Sequence, residues 1–298
     1  MEYKVIPDGE NTVIYSGYYE DTEAICDLTV PEGFVEISEN AFRDFENLKT
    51  VSLPRSLKRI GSSAFSGCKN LKSVRFSFGL EEILDEAFSS CPSLTEAIIP
   101  DSVKRIGEGA FEGCASLTRL KLSESLVMIG ASAFAFCFNL TSVTVPDSCV
   151  LVEFSAFSSC FSLEEVKLSD NMGLIDTSTF EGCRSLKVVD MPTKLVKIGE
   201  RAFKGCSSLV SLILPSRCEV IGFDAFADCS SLRRIAIPRG MREIEELEAF
   251  GGCDSLAEIS YGGDREGWEY LTRGKSLTVE RSDLSHFSPK IYFMDLKI

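Results

Sequence analysis

The sequence predicts a repeat solenoid, mainly β, with a parallel sheet on one face and short turn or 3₁₀ segments between strands, and three observations carry that prediction. First, phenylalanine recurs at a fixed interval. Phe42, Phe65, Phe88, Phe111, Phe134, Phe157, Phe180, Phe203 and Phe226 stand 23 residues apart, and Phe250 follows after 24. Second, the third residue after each of these is Cys in nine turns, from Cys68 to Cys253, with Phe45 in the first, and the sixth is always Leu, from Leu48 to Leu256. Third, five residues before each Phe stands Ile or Val, from Ile37 to Ile221, with Ile244 one further back at the slip. A single unit of this kind cannot bury a core alone and does so only by stacking on its neighbours.

Composition agrees. A globule of 298 residues is expected to split into about two domains, whereas in a solenoid the same length adds turns to one domain. The formal charge of −14 makes nucleic acid or an anionic membrane a poor partner. No apolar run approaches the roughly 18 residues that cross a bilayer, so no membrane insertion is expected. The opening MEYKVIPDGENTVIYSG has neither a basic n-region nor an apolar h-region, so the chain as written shows no secretory signal.

Taken in order, residues 1–30 lack the Phe and Cys columns and alternate around Val13, Ile14 and Tyr15, which reads as an N-terminal cap of a strand or two over the first turn. Residues 31–261 hold ten repeats without a linker. Within one repeat, Leu117, Leu120 and Leu122 fit L-x-x-L-x-L, the last two alternating as a strand does. Stacked at about 4.8 Å per turn, ten such strands give a sheet roughly 50 Å long. Val103 and Ile106 mark a second extended piece on the opposite wall. The segment GEGAFEGC reads as a tight turn or short 3₁₀ segment, because Gly or Ser recurs just before Cys, as at Gly67, Ser90 and Gly113. Proline closes the strand at Pro31, Pro54, Pro100, Pro146, Pro192, Pro215 and Pro238, where a missing N–H costs least. Residues 262–298 break the period, hold the single Trp268 and the single His286, and read as a C-terminal cap whose end, Lys290 to Ile298, alternates like an edge strand.

Twelve cysteines invite a metal or disulfide reading, but no C-x-x-C pair is present and thiols at one phase form a ladder rather than converge on a point. Each is expected to be buried as a small hydrophobe, weakly bonding a turn carbonyl, with no metal or cofactor held. Cys149 and Cys218 occupy a column otherwise filled by Leu57, Leu80, Val103, Leu126, Met172 and Leu195, so they read as core substitutes. That many unpaired thiols suits a reducing compartment. No catalytic residue is assigned, since His286 has no partner in the repeats to form a triad or dyad. Trp268 is expected to plug the last turn rather than stack a sugar, with Tyr261, Tyr270 and Phe287 packing against it.

The binding face follows from phase. Residues seven, eight and ten after each Phe point outward from the strand sheet. They include nine bases (Lys49, Lys72, Arg75, Arg119, Lys121, Lys167, Lys187, Arg233, Arg234) and five acids (Glu96, Glu164, Glu165, Asp190, Glu258). The sheet face is therefore basic on an acidic chain. In turns seven to nine, Val188, Val210, Ile213 and Ala236 hold outward positions beside Lys187, Arg233 and Arg234, an apolar patch ringed by bases that suits a protein partner, bound by a monomer.

The runs IGEGAFEGCASLTRLKL, IGERAFKGCSSLVSLILP and IGSSAFSGCKNLKSVRF resemble the 23-residue bacterial leucine-rich repeats of the BspA-like, or Treponema pallidum-type, class over about Pro31 to Tyr261. Tyr261 to Trp268, YGGDREGW, resembles the closing motif that follows such arrays. The resemblance implies a leucine-rich-repeat right-handed superhelix, located on or outside bacterial cells and adhering to host or bacterial proteins, without enzyme activity. If the chain as written is the native one, its opening without a secretory segment and its free cysteines imply the cytoplasm instead. Two other readings remain: a β-solenoid enzyme acting on polysaccharide, which requires a structured loop carrying paired carboxylates, and a structural spacer in a larger assembly.

Overall fold

The computed structural model describes residues 5–8, 11–14, 25–245, 247–273, 279–280 and 286–294. Each repeat makes one turn with three walls. The first wall is a stack of parallel strands in which paired residues stand 23 positions apart, as Thr50 with Ser73, Glu165 with Val188 and Ser211 with Arg234, or 24 at the slip, as Arg234 with Glu258. Side chains alternate across a strand, so the central Val51, Val74, Ala97, Val166 and Leu212 are buried while their neighbours face water. Ladder pairing on this wall is interrupted between Ser73–Arg75 and Glu96–Ile98, between Arg119–Lys121 and Ser142–Thr144, and between Val188–Asp190 and Ser211–Ile213.

The second wall consists of two-residue parallel strands from Arg59–Ile60 to Glu243–Ile244, each placing its Ile or Val inward. Its outward residues bridge turns. Arg59 reaches Glu36 at 3.1 Å and Glu82 at 2.9 Å. Such exposed pairs contribute at most about 1 kcal/mol each, so this wall is held by its buried side chains.

The third wall is the Phe segment. It forms turns rather than 3₁₀ helix in the regular repeats, the exception being Leu247–Phe250. That exception is where the extra residue enters. Val220–Ile221 still pairs with Glu243–Ile244 at a spacing of 23, whereas the Phe226 N–H reaches the Ala249 carbonyl instead of one 22 residues on, as Phe203 does with Ala225. In the regular turns, backbone φ is positive two residues before and two after each Phe, as at Ser63 (53°) and Gly67 (74°). The Gly or Ser noticed before Cys fills one of these columns. The other holds Asn40, Ser63, Glu86, Gly109, Ser132, Ser155, Ser178, Arg201 and Asp224, Ser being commonest among otherwise varied residues. Alternating left-handed residues with ordinary ones aims every second N–H at the next turn: Ser63 donates to Asp85, Phe65 to Ala87 and Gly67 to Ser89, at 2.8–2.9 Å.

Ten phenylalanines lie wholly buried along this wall, their rings offset-stacked at centroid spacings of 5.2–5.7 Å. The nine cysteines of the repeat column are buried beside them, and each Sγ donates to the carbonyl of the preceding turn's Phe at 3.1–3.4 Å, as with Cys68 to Phe42 and Cys253 to Phe226. Cys149 and Cys218 are buried in the Leu column, as their phase requires. Burial pushes the Cys114 and Cys160 thiols up to about 12 and those of Cys149 and Cys218 up to about 11.

Both ends carry further strands. Val5–Asp8 pairs antiparallel with Asn11–Ile14, which joins the second wall by pairing parallel with Phe34–Ile37. Lys290–Phe293 joins the first wall beside Glu258–Tyr261. This is the basis for proposing residues 1–30 and 262–298 as caps. Trp268 lies in a helix, Arg265–Leu271, that the sequence reading did not anticipate, with the Asp264 side chain accepting from the Gly267 N–H at 2.8 Å. Trp268 is buried against Tyr261, ring centroids 5.6 Å apart. Tyr270 does not pack with it and is 79% exposed, because Trp268 and Leu271, three apart, take the inward face of the helix. The side chains of His286 and Phe287 lie outside the described residues.

Phe134→Ala removes a ring stacked on both Phe111 and Phe157 and is expected to cost about 3 to 5 kcal/mol, read by chemical denaturation; an unchanged midpoint would show that the ladder is not the core. The thiols give a second test. A group whose folded-state pKa is raised contributes stability that is present below its unfolded value, near 9, and lost as pH climbs toward the folded value near 12. The melting temperature should therefore hold from pH 6 to 8 and fall above about 9. Cys114→Ala should make that alkaline fall shallower by up to about 1.4 kcal/mol per pH unit.

Candidate binding face

The outward side of the first wall is set by strand alternation and by the buried Leu that precedes each strand. All nine bases assigned to it by phase are exposed. In turns seven to nine, Val188 is 52%, Val210 46% and Ile213 76% exposed, while the residues between them in phase, Leu212 and Ile235, are 5% and 1% exposed. Lys187, Arg233 and Arg234 are exposed on the same wall. Ala236, paired in register with Ile213, is half-buried. The six assigned residues thus share one wall over three consecutive turns. Lys187 differs from the other two bases: its ammonium pairs with Glu164 of the preceding turn at 2.9 Å, whereas Arg233 and Arg234 form no ion pair among the described residues. The ladder gap between Val188–Asp190 and Ser211–Ile213 falls inside this patch.

Two further surface features escaped the sequence reading. On the same face, an open groove of about 570 Å³ straddles the ladder gap of turns two and three, lined by Ser73, Arg75, Phe78, Glu96, Asp101 and Lys121 among others. On the third wall, Phe138 stacks on Phe161 at 4.9 Å, the Arg184 guanidinium lies 4.7 Å over the Phe161 ring, and Phe136 meets Phe138 edge-on at 6.2 Å. Phe136 has φ of 59° in a column otherwise held by Gly, Ser or Asp, and is 43% exposed. The signal for both lay in single-turn departures from a column, as Phe78 departs from one filled by Arg55, Asp101, Glu124, Asp147, Asp170, Thr193, Ser216 and Arg239.

Among the described residues no cluster of His, Cys, Asp and Glu has the geometry to hold a metal ion, and no helix is long and apolar enough to cross a membrane.

The profile of the BspA type leucine-rich repeat region, built of six copies, matches overlapping windows at residues 4–118, 35–164, 81–187 and 151–266. The chain belongs to this family. Among solved structures, it is similar to the T. pallidum leucine-rich repeat protein at 28% identity, over 70% of this chain and 87% of that one, with a TM-score of 0.51. It is similar in fold to the pneumococcal vaccine antigen PcpA at 22% identity, over 98% and 91% of the two chains, with a TM-score of 0.51. A leucine-rich repeat protein from Bacteroides ovatus matches at 25% identity over 97% and 90%, with a TM-score of 0.49. No curated protein matches the chain.

Proposed function

We propose that this repeat scaffold is a non-catalytic binding protein that presents the outward side of its first wall to a protein partner, with turns seven to nine as the contact. The observation that carries this reading is the exposure of Val188, Val210 and Ile213 on two consecutive turns of one wall, beside Arg233 and Arg234, which form no ion pair among the described residues. Exposed apolar groups at the centre of a patch with unpaired guanidiniums near them match the composition of protein interfaces, which favour apolar cores and Arg over Lys and Glu. Rigidity supports it too. The Phe wall behind it is bonded turn to turn without a break, so binding orders little of the scaffold and loses little affinity to ordering. Membership of a repeat family supports a role in protein interaction, and adhesion to a surface protein is the form of it we favour.

The test uses the whole chain immobilised beside Val188→Glu/Ile213→Glu, against bacterial lysate and host surface extract. A partner retained by the native chain and lost by the double variant, with thermal unfolding nearly unchanged, is the expected result. Identical capture by both removes the patch as the site, and loss of folding shows that these side chains face inward.

A further inference from the structure

The groove of turns two to four is a separate site. Phe78 is its most unusual member. In the column that Phe78 occupies, the acids have a structural use: Asp101 accepts from the Glu124 N–H at 3.1 Å, Asp147 from Asp170 at 3.0 Å, and Asp170 from Thr193 at 2.9 Å, each bonding a turn to the next. A phenylalanine gives up that bond and offers no burial in return, for its ring is 84% exposed, more than any other large apolar residue among the described ones. The chain thus places a bare aromatic face where its own stability gains nothing from one. Beneath it Phe76 is partly buried, its ring edge-on to Phe88 at 5.7 Å, so the wall on which Phe78 stands is anchored in the core.

The rest of the lining defines the ligand. Arg75 and Lys121 take the same outward phase two turns apart, on either side of Ile98, and neither forms an ion pair among the described residues. Two strand spacings put them about 10 Å apart. Glu96 and Asp101 supply two carboxylates, and Ser73 a hydroxyl. Two bases and two acids cancel, which disfavours a polyanion or a polycation. A bare ring face, charged donors and acceptors of both signs and a hydroxyl in an open groove match a ligand that is ringed, hydroxyl-rich and nearly neutral. A volume near 570 Å³ lies within the usual range for small-molecule sites.

We propose that this groove binds a short saccharide segment, one sugar ring stacked by its C–H face on Phe78 and its hydroxyls held by Arg75, Glu96, Asp101 and Lys121. The positive edge of the sugar's C–H groups meets the negative face of the ring, and guanidinium and carboxylate supply the paired donors and acceptors that vicinal hydroxyls require. The site lies in the opposite half of the wall from the apolar patch and does not depend on it.

The experiment is binding of the whole chain to a printed array of neutral, sialylated and uronic-acid oligosaccharides, repeated with Phe78→Ala, Arg75→Ala and Val188→Glu/Ile213→Glu, followed by calorimetry with the strongest oligosaccharide. The expected result is retention of at least one oligosaccharide class, weakened tenfold or more by Phe78→Ala and by Arg75→Ala and unchanged by the double variant. Because Phe78 is exposed, its variant should melt as the native chain does. Absence of binding to every oligosaccharide overturns the proposal, as does binding that survives both groove variants. Poly-glutamate bound in place of sugar, and released by Arg75→Ala, also overturns it and identifies an acidic-peptide site.

Discussion

The structure depends on one constraint: along the Phe wall every turn bonds its backbone to the next, from Phe42 with Ala64 to Phe226 with Ala249, and the two strand walls add ladders to it with breaks between some turns. The rings show which interaction sets the rise per turn. Near-parallel phenylalanines at 5.2–5.7 Å are farther apart than faces in contact and slide into offset stacking, so the backbone ladders fix the pitch and the rings fill the space they are given. With the pitch fixed, a buried side chain can only be followed by another of the same shape at the same phase, since close-packed interiors tolerate neither voids nor excess volume. The repeat in the sequence is this packing rule written along the chain.

Cysteine shows how narrow the rule becomes. The carbonyl of Phe65 accepts from the N–H of Cys68 in its own turn at 3.3 Å and from the Sγ of Cys91 in the next at 3.2 Å. The side chain at that phase has to be small, apolar enough for full burial and able to donate backward. A thiol satisfies all three, and burial keeps it protonated and unreactive. The one exception fits the same account. In the first turn no phenylalanine of the series precedes in the sequence, and Phe45 takes the place, edge-on to Phe42 at 5.5 Å.

The same rule decides what could be read from sequence. The Phe, Cys and Leu columns, the inward and outward phases of the first wall and the exposure of Val188, Val210 and Ile213 were all legible, because burial imposes one residue type per column. The left-handed column before each Phe was not, since beside its four Ser and one Gly it also takes Asn40, Glu86, Arg201 and Asp224, which dilutes the signal. The ladder gaps were not, because pairing depends on how neighbouring turns settle against each other. The groove combines such a gap with Phe78 and therefore lies beyond column counting, although Phe78 itself stands out in its column. The helix at Arg265–Leu271 was missed for its length: two turns outside the repeat leave too short a pattern to show a period.

A regular interior leaves the outward columns as the place where this chain carries individuality, and the proposed saccharide groove is read as holding a ring. Glycoside cleavage in its common form needs two carboxylates placed at a set separation across the scissile bond, one of them free to hold a proton. The groove does contain Glu96 and Asp101, yet each is already engaged by the scaffold: Glu96 pairs with Arg119 at 3.4 Å, and Asp101 accepts a backbone N–H of the following turn. Their charges are tied to neighbouring turns of the array, and the rise of the array sets their positions. Acids held in this way are suited to orienting hydroxyls in a bound ring. Exposed valines and isoleucine on flat strands offer a second face, on which Asp190 is the one outward acid of the Val188–Asp190 strand. Both proposed surfaces rest on the solenoid as a rigid frame, and that rigidity comes from the backbone bonds that space the turns.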